Sequence, residues 1–280
     1  MLARRITTIL PDMNVEEALE VTKIYSIVGL TNKNQIISQR PFRSPHHTTS
    51  KVALIGGGRD AKPGEISLAH RGVLFLDELP EFNKSTLEVL RIPLEDRKVL
   101  VSRANQTCQY PASFMLIASM NPCPCGYYGS NEKECTCSSR EIDAYMHKVS
   151  GALLDRIDIQ VEVHSVDYDK MVEDRKGESS IQIKERVNKA RKLQEERYKK
   201  DNIFSNSELT PKLIEKYCQI DSESKKLLEK AFKKLNLSSR AYNRILKVAR
   251  TIADLEGREN ISKEDIAEAI QYRSLDKKYF

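Results

Sequence analysis

The strongest constraint on the fold of this chain is a short apolar run that ends in two adjacent carboxylates, Gly72-Val-Leu-Phe-Leu-Asp-Glu78. Such an uninterrupted run is typical of a strand that is buried on both faces of a parallel sheet. Ligands of open α/β sheets bind at the carboxyl ends of the strands, so Asp77 and Glu78 are expected to border a crevice. There Asp77 can support Mg²⁺, and Glu78 can orient or deprotonate a water that attacks a γ-phosphate. The alternative is a strand that simply ends in solvated acids.

A second apolar run, Phe114–Ser119, predicts another strand buried on both faces, and Asn121 follows it. Parallel strands end at the same edge, so the Asn121 amide is expected beside the acidic pair. There it can hydrogen-bond a phosphate oxygen and the attacking water without adding negative charge. Taken alone, Asn121-Pro122 is only a turn signal. The segment between the two strands predicts a helix over Asn83–Glu95, followed by a β-hairpin with strands at 98–102 and 108–110.

The chain divides into two regions of different composition. Up to about residue 165, apolar runs alternate with Gly and Pro, and the period-two pattern of Ile157–Val163 predicts a further strand with one face partly wet. Beyond about residue 180, Lys, Glu, Leu and Ala dominate. The predicted fold class is α/β: a parallel sheet with helices on both faces over residues 1–165, a linker helix within 166–204 and an all-helical domain over 205–280. One helix of that domain is predicted to begin at Ser238 or Ser239 and to place on one apolar face Ala241, Ile245, Val248, Ala249 and Ile252.

Four cysteines lie in two Cys-x-Cys pairs close together in the sequence: Cys123, Cys125, Cys135 and Cys137. Four soft ligands in a loop rich in Gly, Asn and Ser can wrap a tetrahedral Zn²⁺, which would clamp the loop beside Asn121. The spacing is less common than Cys-x-x-Cys. Free thiols are the alternative, because disulfides are disfavoured in a reducing compartment.

The composition excludes several classes of protein. With 280 residues, 40% hydrophobic and 31% charged, the chain can bury a core and is neither disordered nor fibrous. It has no apolar run of the roughly 18 residues that a membrane helix needs, and no signal-peptide core, so a cytoplasmic protein without membrane contact is expected. The net charge of +6 is compatible with nucleic acid without requiring it.

Beyond these local patterns, several longer strings resemble the magnesium-chelatase-like AAA+ ATPases of the YifB/ComM family. The apolar strand with Asp-Glu, the second strand with its Asn and the Leu153-Leu-Asp-Arg156 string resemble the Walker B, sensor 1 and arginine-finger motifs of AAA+ ATPases. The strings that carry the closer resemblance are Pro41-Phe-Arg-Ser-Pro-His-His-Thr-Thr-Ser50, Pro63-Gly-Glu-Ile-Ser-Leu-Ala-His70, Asn121-Pro-Cys-Pro-Cys-Gly126 and Leu237-Ser-Ser-Arg-Ala-Tyr-Asn-Arg-Ile-Leu-Lys-Val-Ala-Arg-Thr-Ile-Ala-Asp254.

The resemblance implies a ring-forming, hexameric ATPase that uses ATP and Mg²⁺ and acts on single-stranded or branched DNA as a branch-migration helicase linked to DNA uptake. Carried over by position, Asp77 and Glu78 resemble the Walker B pair and Asn121 the sensor 1 residue. Arg156 resembles the finger that reaches into a neighbouring subunit, and Arg240 the sensor 2 arginine that contacts nucleotide. The alternatives are an ion pair of Arg156 with a nearby aspartate and a solvated helix start at Arg240.

The chain departs from the family pattern at its beginning. A phosphate-binding loop has the form Gly-x-x-x-x-Gly-Lys-[Ser/Thr], and no such string occurs in the 280 residues. In the family, a segment like Met1-Leu-Ala-Arg-Arg-Ile follows that loop directly. The resemblance therefore predicts a chain truncated just after Walker A, without the strand before the loop, and deficient in ATP binding as given.

Two other functions stay open. One is the ATPase subunit of a metal chelatase that inserts a metal ion into a tetrapyrrole. The other is a non-catalytic, zinc-stapled module for DNA binding or ring assembly. In a Pro-flanked loop, Arg43, His46 and His47 either contact DNA or order the loop, and they are left unassigned.

Overall fold

The computed structural model describes residues 2–31, 35–103, 106–130, 133–163, 177–235 and 237–273. The chain divides into two compact units, Met1–Arg156 and Ile157–Phe280. Across the described residues, no helix combines the length and the apolar character needed to cross a lipid bilayer.

The first unit is built around a small parallel sheet, as the sequence predicts. Its described strands are β1 (Phe42–Arg43), β2 (Gly56–Gly57), β3 (Lys62–Pro63), β4 (Val73–Leu76), β5 (Lys98–Arg103), β6 (Gln106–Pro111) and β7 (Met115–Ala118). The sheet has the order β1-β4-β7 with both pairings parallel, and β4 lies in its centre. The register pairs Leu76 with Ala118, so β4 and β7 end side by side.

The two strands predicted to be buried on both faces differ in the structure. In β4, Val73, Leu74 and Leu76 have no exposed surface, which confirms the prediction for this strand. In β7, Met115 is 46% exposed and the rest of the strand is only partly buried. The prediction is wrong for β7 because this strand lies at the side of the sheet, with no further strand beyond it among the described residues.

The first unit also contains the predicted β-hairpin. Strands β5 and β6 pair from Lys98 with Pro111 to Arg103 with Gln106. Strand β5 thus ends one residue later than predicted, and β6 begins two residues earlier and ends one residue later. Val99 and Val101 are buried, whereas Leu100 between them is 62% exposed. This alternation means that one face of the hairpin packs on the unit and the other faces solvent.

The helices of the first unit are short. They are α1 (Leu2–Arg5), α2 (Val15–Ile27), α3 (Lys51–Ile55), α4 (Glu65–Leu68), α5 (Lys84–Glu88), α6 (Arg91–Asp96), α7 (Ser139–Met146) and α8 (Gly151–Leu154). The single helix predicted over Asn83–Glu95 is instead the pair α5 and α6. Pro93 explains the break, because proline has no N–H to donate to Val89 and its ring clashes with that carbonyl.

Strands β1 and β4 approach each other closely at their entry. The Val73 N–H donates to the Pro41 carbonyl at 2.8 Å. A Cβ atom placed on Gly72 would lie only 2.1 Å from the same Pro41 oxygen. A residue larger than glycine at position 72 would therefore push the two strands apart.

The regular secondary structure in the described residues of the second unit is helical, without a strand. Its helices are α9 (Ser180–Tyr198), α10 (Pro211–Tyr217), α11 (Ser222–Leu235), α12 (Ser239–Leu255) and α13 (Lys263–Gln271). Helix α12 begins with Ser238 as its cap, accepting a hydrogen bond from the Ala241 N–H. Its predicted apolar face is confirmed: Ala241, Ile245 and Ala249 are buried, and Val248 and Ile252 pack against the same core.

A buried charge network accompanies this core. Asp254 has a fully buried side chain that accepts hydrogen bonds from Arg197 at 2.6 and 3.0 Å, from Arg250 at 3.1 Å and from Asn206 at 2.8 Å. Arg250 in turn donates to two backbone carbonyls, those of Arg258 and Glu259. These donors compensate the cost of burying the Asp254 carboxylate.

The prediction of a strand over Ile157–Val163 is wrong. This segment is not a strand in the structure, and Ile159, Val161 and Val163 are each about half exposed or more. Its backbone bonds to the end of α13 instead, because the Gln160 N–H donates to the Tyr272 carbonyl at 2.9 Å. An alternating pattern alone does not supply the neighbouring strand that a β-strand needs for its hydrogen bonds.

Candidate functional site

The candidate site lies at the carboxyl edge of the three-stranded sheet. Asp77 follows β4 directly and Ser119 follows β7 directly. The sheet pairing continues past the strands, since the Ser119 N–H donates to the Leu76 carbonyl at 3.0 Å and the Leu79 N–H donates to the Ser119 carbonyl at 2.9 Å. The structure thus brings Asp77 and Glu78 to the same edge as the start of the Asn121 segment, as the parallel topology predicts.

Asp77 is exposed and held by two donors. The Ser119 hydroxyl donates to its Oδ1, and so does the Glu78 N–H at 3.1 Å. Both bonds go to the same carboxylate oxygen. Sequence reasoning did not single out Ser119, although its place as the last residue of the predicted strand is a signal that could have found it.

Glu78 has an unusual backbone. Its φ of 51° and ψ of 50° are left-handed, a conformation that costs a non-glycine residue about 1 kcal/mol or more. A 3₁₀ turn over Leu79–Glu81 follows at once. The side chain is 59% exposed, and its Oε2 lies 3.4 Å from the Nδ1 of His47. The left-handed residue thus joins β4 to the 3₁₀ turn, and its carboxylate lies beside His47.

The loop after β1 brings His47 to this edge. His46 and His47 stack with ring centroids 4.0 Å apart, and the His46 Nδ1 lies 2.9 Å from the Thr48 hydroxyl. The sequence assigns no role to these two histidines and does not predict β1. A two-residue strand between prolines shows no periodicity that could have revealed it.

Arg43, which was also left unassigned, is engaged inside the unit. Its guanidinium donates to both Glu65 oxygens at 2.6 and 2.7 Å. These bonds to Glu65 raise the pKa of Arg43, and burial only partly opposes them. The contact supports a role in ordering the loop that carries His47.

Asn121 is exposed and lies two residues after Ser119. Its backbone N–H donates to the hydroxyl of Tyr145, a buried residue of α7. Burial raises the pKa of Tyr145, and the nearby Glu81 carboxylate acts in the same direction. Tyr145 therefore anchors the Asn121 backbone as a neutral hydroxyl. Nothing in the sequence marked this tyrosine as part of the site.

The four cysteines after Asn121 converge. Their sulfur atoms all lie within 4.8 Å of one another. Cys123 is fully buried, and the other three are partly exposed. The N–H groups of Tyr127 and Thr136 hydrogen-bond the Cys125 sulfur and lower the pKa of this thiol to about 5. Four soft ligands at one point are a donor set that suits Zn²⁺.

Arg156 lies elsewhere in the first unit. Only 4% of its side chain is exposed, its Nη2 lies 2.7 Å from Glu95 Oε1, and its Nη1 donates to the Ala152 carbonyl. The structure pairs it with Glu95, whereas the sequence suggested a nearby aspartate as the alternative to a finger. Asp158 instead pairs with Arg244.

Arg240 belongs to the second unit. It is exposed on the first turn of α12, next to the cap residue Ser238. Farther along this helix, Arg244 pairs with Asp158, and the Lys247 ammonium donates to the Ser207 carbonyl at 3.1 Å.

Comparison with protein families gives two matches that together cover most of the chain. Residues 1–171 match the family described as magnesium chelatase, subunit ChlI, and residues 177–273 match the family described as magnesium chelatase, subunit ChlI C-terminal.

Curated relatives agree with this assignment. The chain is 47% identical to competence protein ComM of Haemophilus influenzae over 98% of its own length and 53% of that protein. It is 44% identical to the uncharacterized protein YifB of Escherichia coli over 99% of its length and 54% of that protein. It is 27% identical to the chloroplastic magnesium-chelatase subunit ChlI of Glycine max over 78% of its length and 46% of that protein. The chain thus spans about half the length of the curated relatives it matches.

Proposed function

The chain belongs to the magnesium chelatase subunit ChlI family, which is AAA+ ATPase-like, and from this premise we propose that it forms part of the ATPase of a ring-shaped DNA motor. The observation that carries the proposal is the carboxyl edge of the sheet. Asp77, Glu78 and the segment of Asn121 meet there, and Ser119 joins the two strands through its bond to Asp77.

The donor set at this edge fits ATP with Mg²⁺. Asp77, Glu78 and Ser119 offer carboxylate and hydroxyl oxygens, which are the hard ligands that Mg²⁺ prefers. When bound, Mg²⁺-ATP would supply the phosphoryl group and a cation that neutralises its negative charge. Asp77 would hold the cation or its water shell, with its orientation fixed by the hydroxyl of Ser119.

The remaining residues act on the water and on the charge of the γ-phosphate. Glu78 would orient the attacking water and accept its proton, and 59% of its side chain is exposed at this edge. The Asn121 amide donates to a γ-phosphate oxygen. By the resemblance of their motifs, Arg240 and Arg156 of a neighbouring subunit would neutralise the transferred group, an effect that can reach ~10³-fold or more in rate.

Arg156 can act as an arginine finger only if its side chain leaves its position in this structure. In the structure its guanidinium is buried against Glu95. To reach a neighbouring subunit it must leave this ion pair, so ring assembly would have to exchange the Glu95 contact for one to nucleotide. The proposal for Arg156 rests on the resemblance of its motif and not on its present position.

The DNA motor is favoured over the metal chelatase by the pattern of relatives. Identity is 44 to 47% to YifB and ComM over nearly the whole chain, against 27% over 78% of the chain to the chelatase subunit. The resemblance of the sequence strings to the YifB/ComM family points to DNA as the partner. A chelatase subunit remains the second candidate function, because the matching family model carries that description.

A chimaera tests the proposal directly. Residues 1–280 would replace the matching 53% of Haemophilus influenzae ComM, so that the site is presented in a longer relative. We expect Mg²⁺-dependent ATP hydrolysis that single-stranded or branched DNA stimulates several-fold. Hydrolysis that DNA leaves unchanged but a porphyrin substrate stimulates would favour the chelatase. DNA retention without any hydrolysis would favour a non-catalytic module.

The 280 residues alone make a second test. They contain no Gly-x-x-x-x-Gly-Lys-[Ser/Thr] string, whose backbone N–H groups and lysine hold phosphates. We therefore expect weak nucleotide binding by this chain when a fluorescent ATP analogue is titrated in the presence of Mg²⁺. Tight, Mg²⁺-dependent binding would contradict this expectation.

A further inference from the structure

The geometry of the four cysteines matches a metal-bound tetrad. Cys123 and Cys125 sulfurs lie 3.4 Å apart, and both lie 3.6 to 3.7 Å from the sulfur of Cys135. Four sulfurs at about 2.3 Å from a central Zn²⁺ are separated by about 3.8 Å along each edge of the tetrahedron. A disulfide would require a separation of about 2.05 Å. The sulfurs therefore stand at the spacing of ligands and not of bonded pairs.

Backbone N–H groups around the cluster are directed toward the cysteine sulfurs. The Tyr128 N–H donates to the Cys123 sulfur at 3.4 Å, and the N–H groups of Tyr127 and Thr136 are directed to the Cys125 sulfur. Hydrogen bonds of this kind orient metal ligands from outside the coordination sphere. Three independent N–H groups thus converge on two of the four sulfurs.

The segment that carries the cysteines gains no support from regular secondary structure in its described residues. Between the end of β7 and the start of α7, the described residues form neither helix nor strand. Connections of this length without secondary structure are uncommon in compact domains, and a metal can supply the missing cross-links. Cys123 is nevertheless fully buried, so one corner of the cluster is fixed within the first unit.

We propose that Cys123, Cys125, Cys135 and Cys137 bind one structural Zn²⁺ and that this ion fixes the backbone of Asn121. Asn121 precedes Cys123 by two residues, and its N–H bonds to Tyr145 on α7. Gly126, between the cysteine pairs, folds back so that its Cβ position would lie 4.0 Å from Asn121 Cγ. The ion would close this fold and hold the segment at the edge of the sheet. Zn²⁺ binding itself does not depend on the proposed ATPase function.

Metal content is measured on the 280-residue chain purified without chelator under reducing conditions. We expect about one Zn²⁺ per chain by elemental mass spectrometry, and tetrahedral cobalt–thiolate absorption bands after exchange with Co²⁺. The variants Cys125→Ser and Cys135→Ser are expected to lose most of the metal, and Cys137→His, which keeps a zinc ligand, to retain it. Cys108→Ser is the matched control, since Cys108 lies on β6 outside the cluster.

The effect on Asn121 is read by hydrogen exchange of the wild-type chain with and without its metal. Removal of the ion should speed exchange over 119–137 at least tenfold and leave α12 in the second unit unchanged. A chain that holds less than about 0.1 Zn²⁺ and gives no cobalt bands would overturn the proposal. So would iron in place of zinc, equal metal loss in Cys108→Ser, or unchanged exchange at 119–137. Because these readouts use no nucleotide, their failure is distinct from failure of the ATPase.

Discussion

The His47 Nδ1 lies 3.4 Å from the Glu78 Oε2, so the carboxylate proposed to position water is in contact with the neighbouring strand's loop. His47 follows β1 and Glu78 follows β4, and the two strands are paired in parallel. The geometry of Glu78 is thereby linked to the loop that Arg43 and Glu65 hold in place. Two predictions concern this contact, and a third concerns Arg156.

Replacing Glu78 by Gln in the chimaera should lower kcat for ATP hydrolysis by about 10²-fold or more, because an amide cannot accept the proton of the attacking water. Nucleotide affinity should change little. Glu81→Gln is the matched control, since Glu81 lies on the next turn and pairs with Lys148 at the surface. Equal losses in both variants would contradict the role assigned to Glu78.

Replacing His47 by Ala should lower kcat about tenfold, because the exposed Glu78 side chain would lose the contact that restricts its position. His46→Ala removes the stacked neighbour and not the contact with Glu78, so its effect should be smaller. Steady-state kinetics of both variants check this. A larger loss in His46→Ala would assign the loop a different role.

The finger role of Arg156 can be separated from its structural role by mixing subunits. Arg156→Ala chimaeras should lose hydrolysis, and so should Glu78→Gln chimaeras. If Arg156 acts on a neighbour's nucleotide, mixed rings should regain part of the activity, because Glu78 of one subunit then faces Arg156 of another. If mixed rings regain no hydrolysis, the role of Arg156 is structural, through its ion pair with Glu95.

The stability of the first unit should fall in mild acid because of His70. His70 is buried, and burial lowers its pKa below the ordinary value of about 6.5, with Arg71 acting in the same direction and Glu20 and Glu17 against it. The Ser113 N–H donates to its Nδ1 at 3.0 Å, so Nε2 carries the proton toward Glu20. Below pH 6.5 the unfolded chain binds the proton more readily than the folded chain, so folding free energy is lost as the pH falls through this window.

Urea unfolding at pH 7.5 and pH 5.5 checks the His70 prediction. The variant His70→Asn can still accept a hydrogen bond but does not titrate. It should be less stable than the wild type at pH 7.5, and this difference should shrink at pH 5.5. A difference independent of pH would show that His70 does not account for the acid sensitivity.

The second unit should be strongly destabilised by Asp254→Asn. The change leaves Arg250 and Arg197 without their shared carboxylate in a buried site, and loss of one partner of a buried ion pair costs about 3 to 5 kcal/mol. Glu229→Gln, at an exposed pair with Lys233, should change the free energy of unfolding far less, because water and salt screen such a pair. Urea unfolding followed by circular dichroism measures both, and similar losses would contradict the prediction.

The parts of the fold that sequence reasoning predicted are those with continuous local patterns. The run before Asp77 is apolar without interruption, and α12 has a cap and a helical apolar face, so both were found. The strand β1 has only two residues, and the segment Ile157–Val163 pairs with no strand in the part of the chain that the structure describes. Whether such a segment becomes a strand depends on pairing with a segment that is distant in the sequence. A local sequence pattern carries no information about that pairing.

In the candidate site, too, some residues could be identified from the sequence, whereas their contacts depend on the fold. Asp77, Glu78 and the four cysteines were identified because their residue types and spacing carry chemical meaning. The contacts of Ser119, His47 and Tyr145 depend on which strands and helices are adjacent. The burial of Arg156 against Glu95 likewise could not be predicted, because the two residues are distant in the chain and only the fold brings them together.

The close approach of Gly72 to Pro41 sets a limit on how this site can vary. Pro41 leads through β1 toward His47, and Gly72 leads through β4 toward Glu78. Any side chain at position 72 would push β1 and β4 apart where the two strands begin. It would also increase the distance between His47 and Glu78, which follow the same two strands. Only glycine therefore fits at position 72, although this residue contributes no functional group. The position of the acidic edge of the sheet thus depends on a residue that has no side chain.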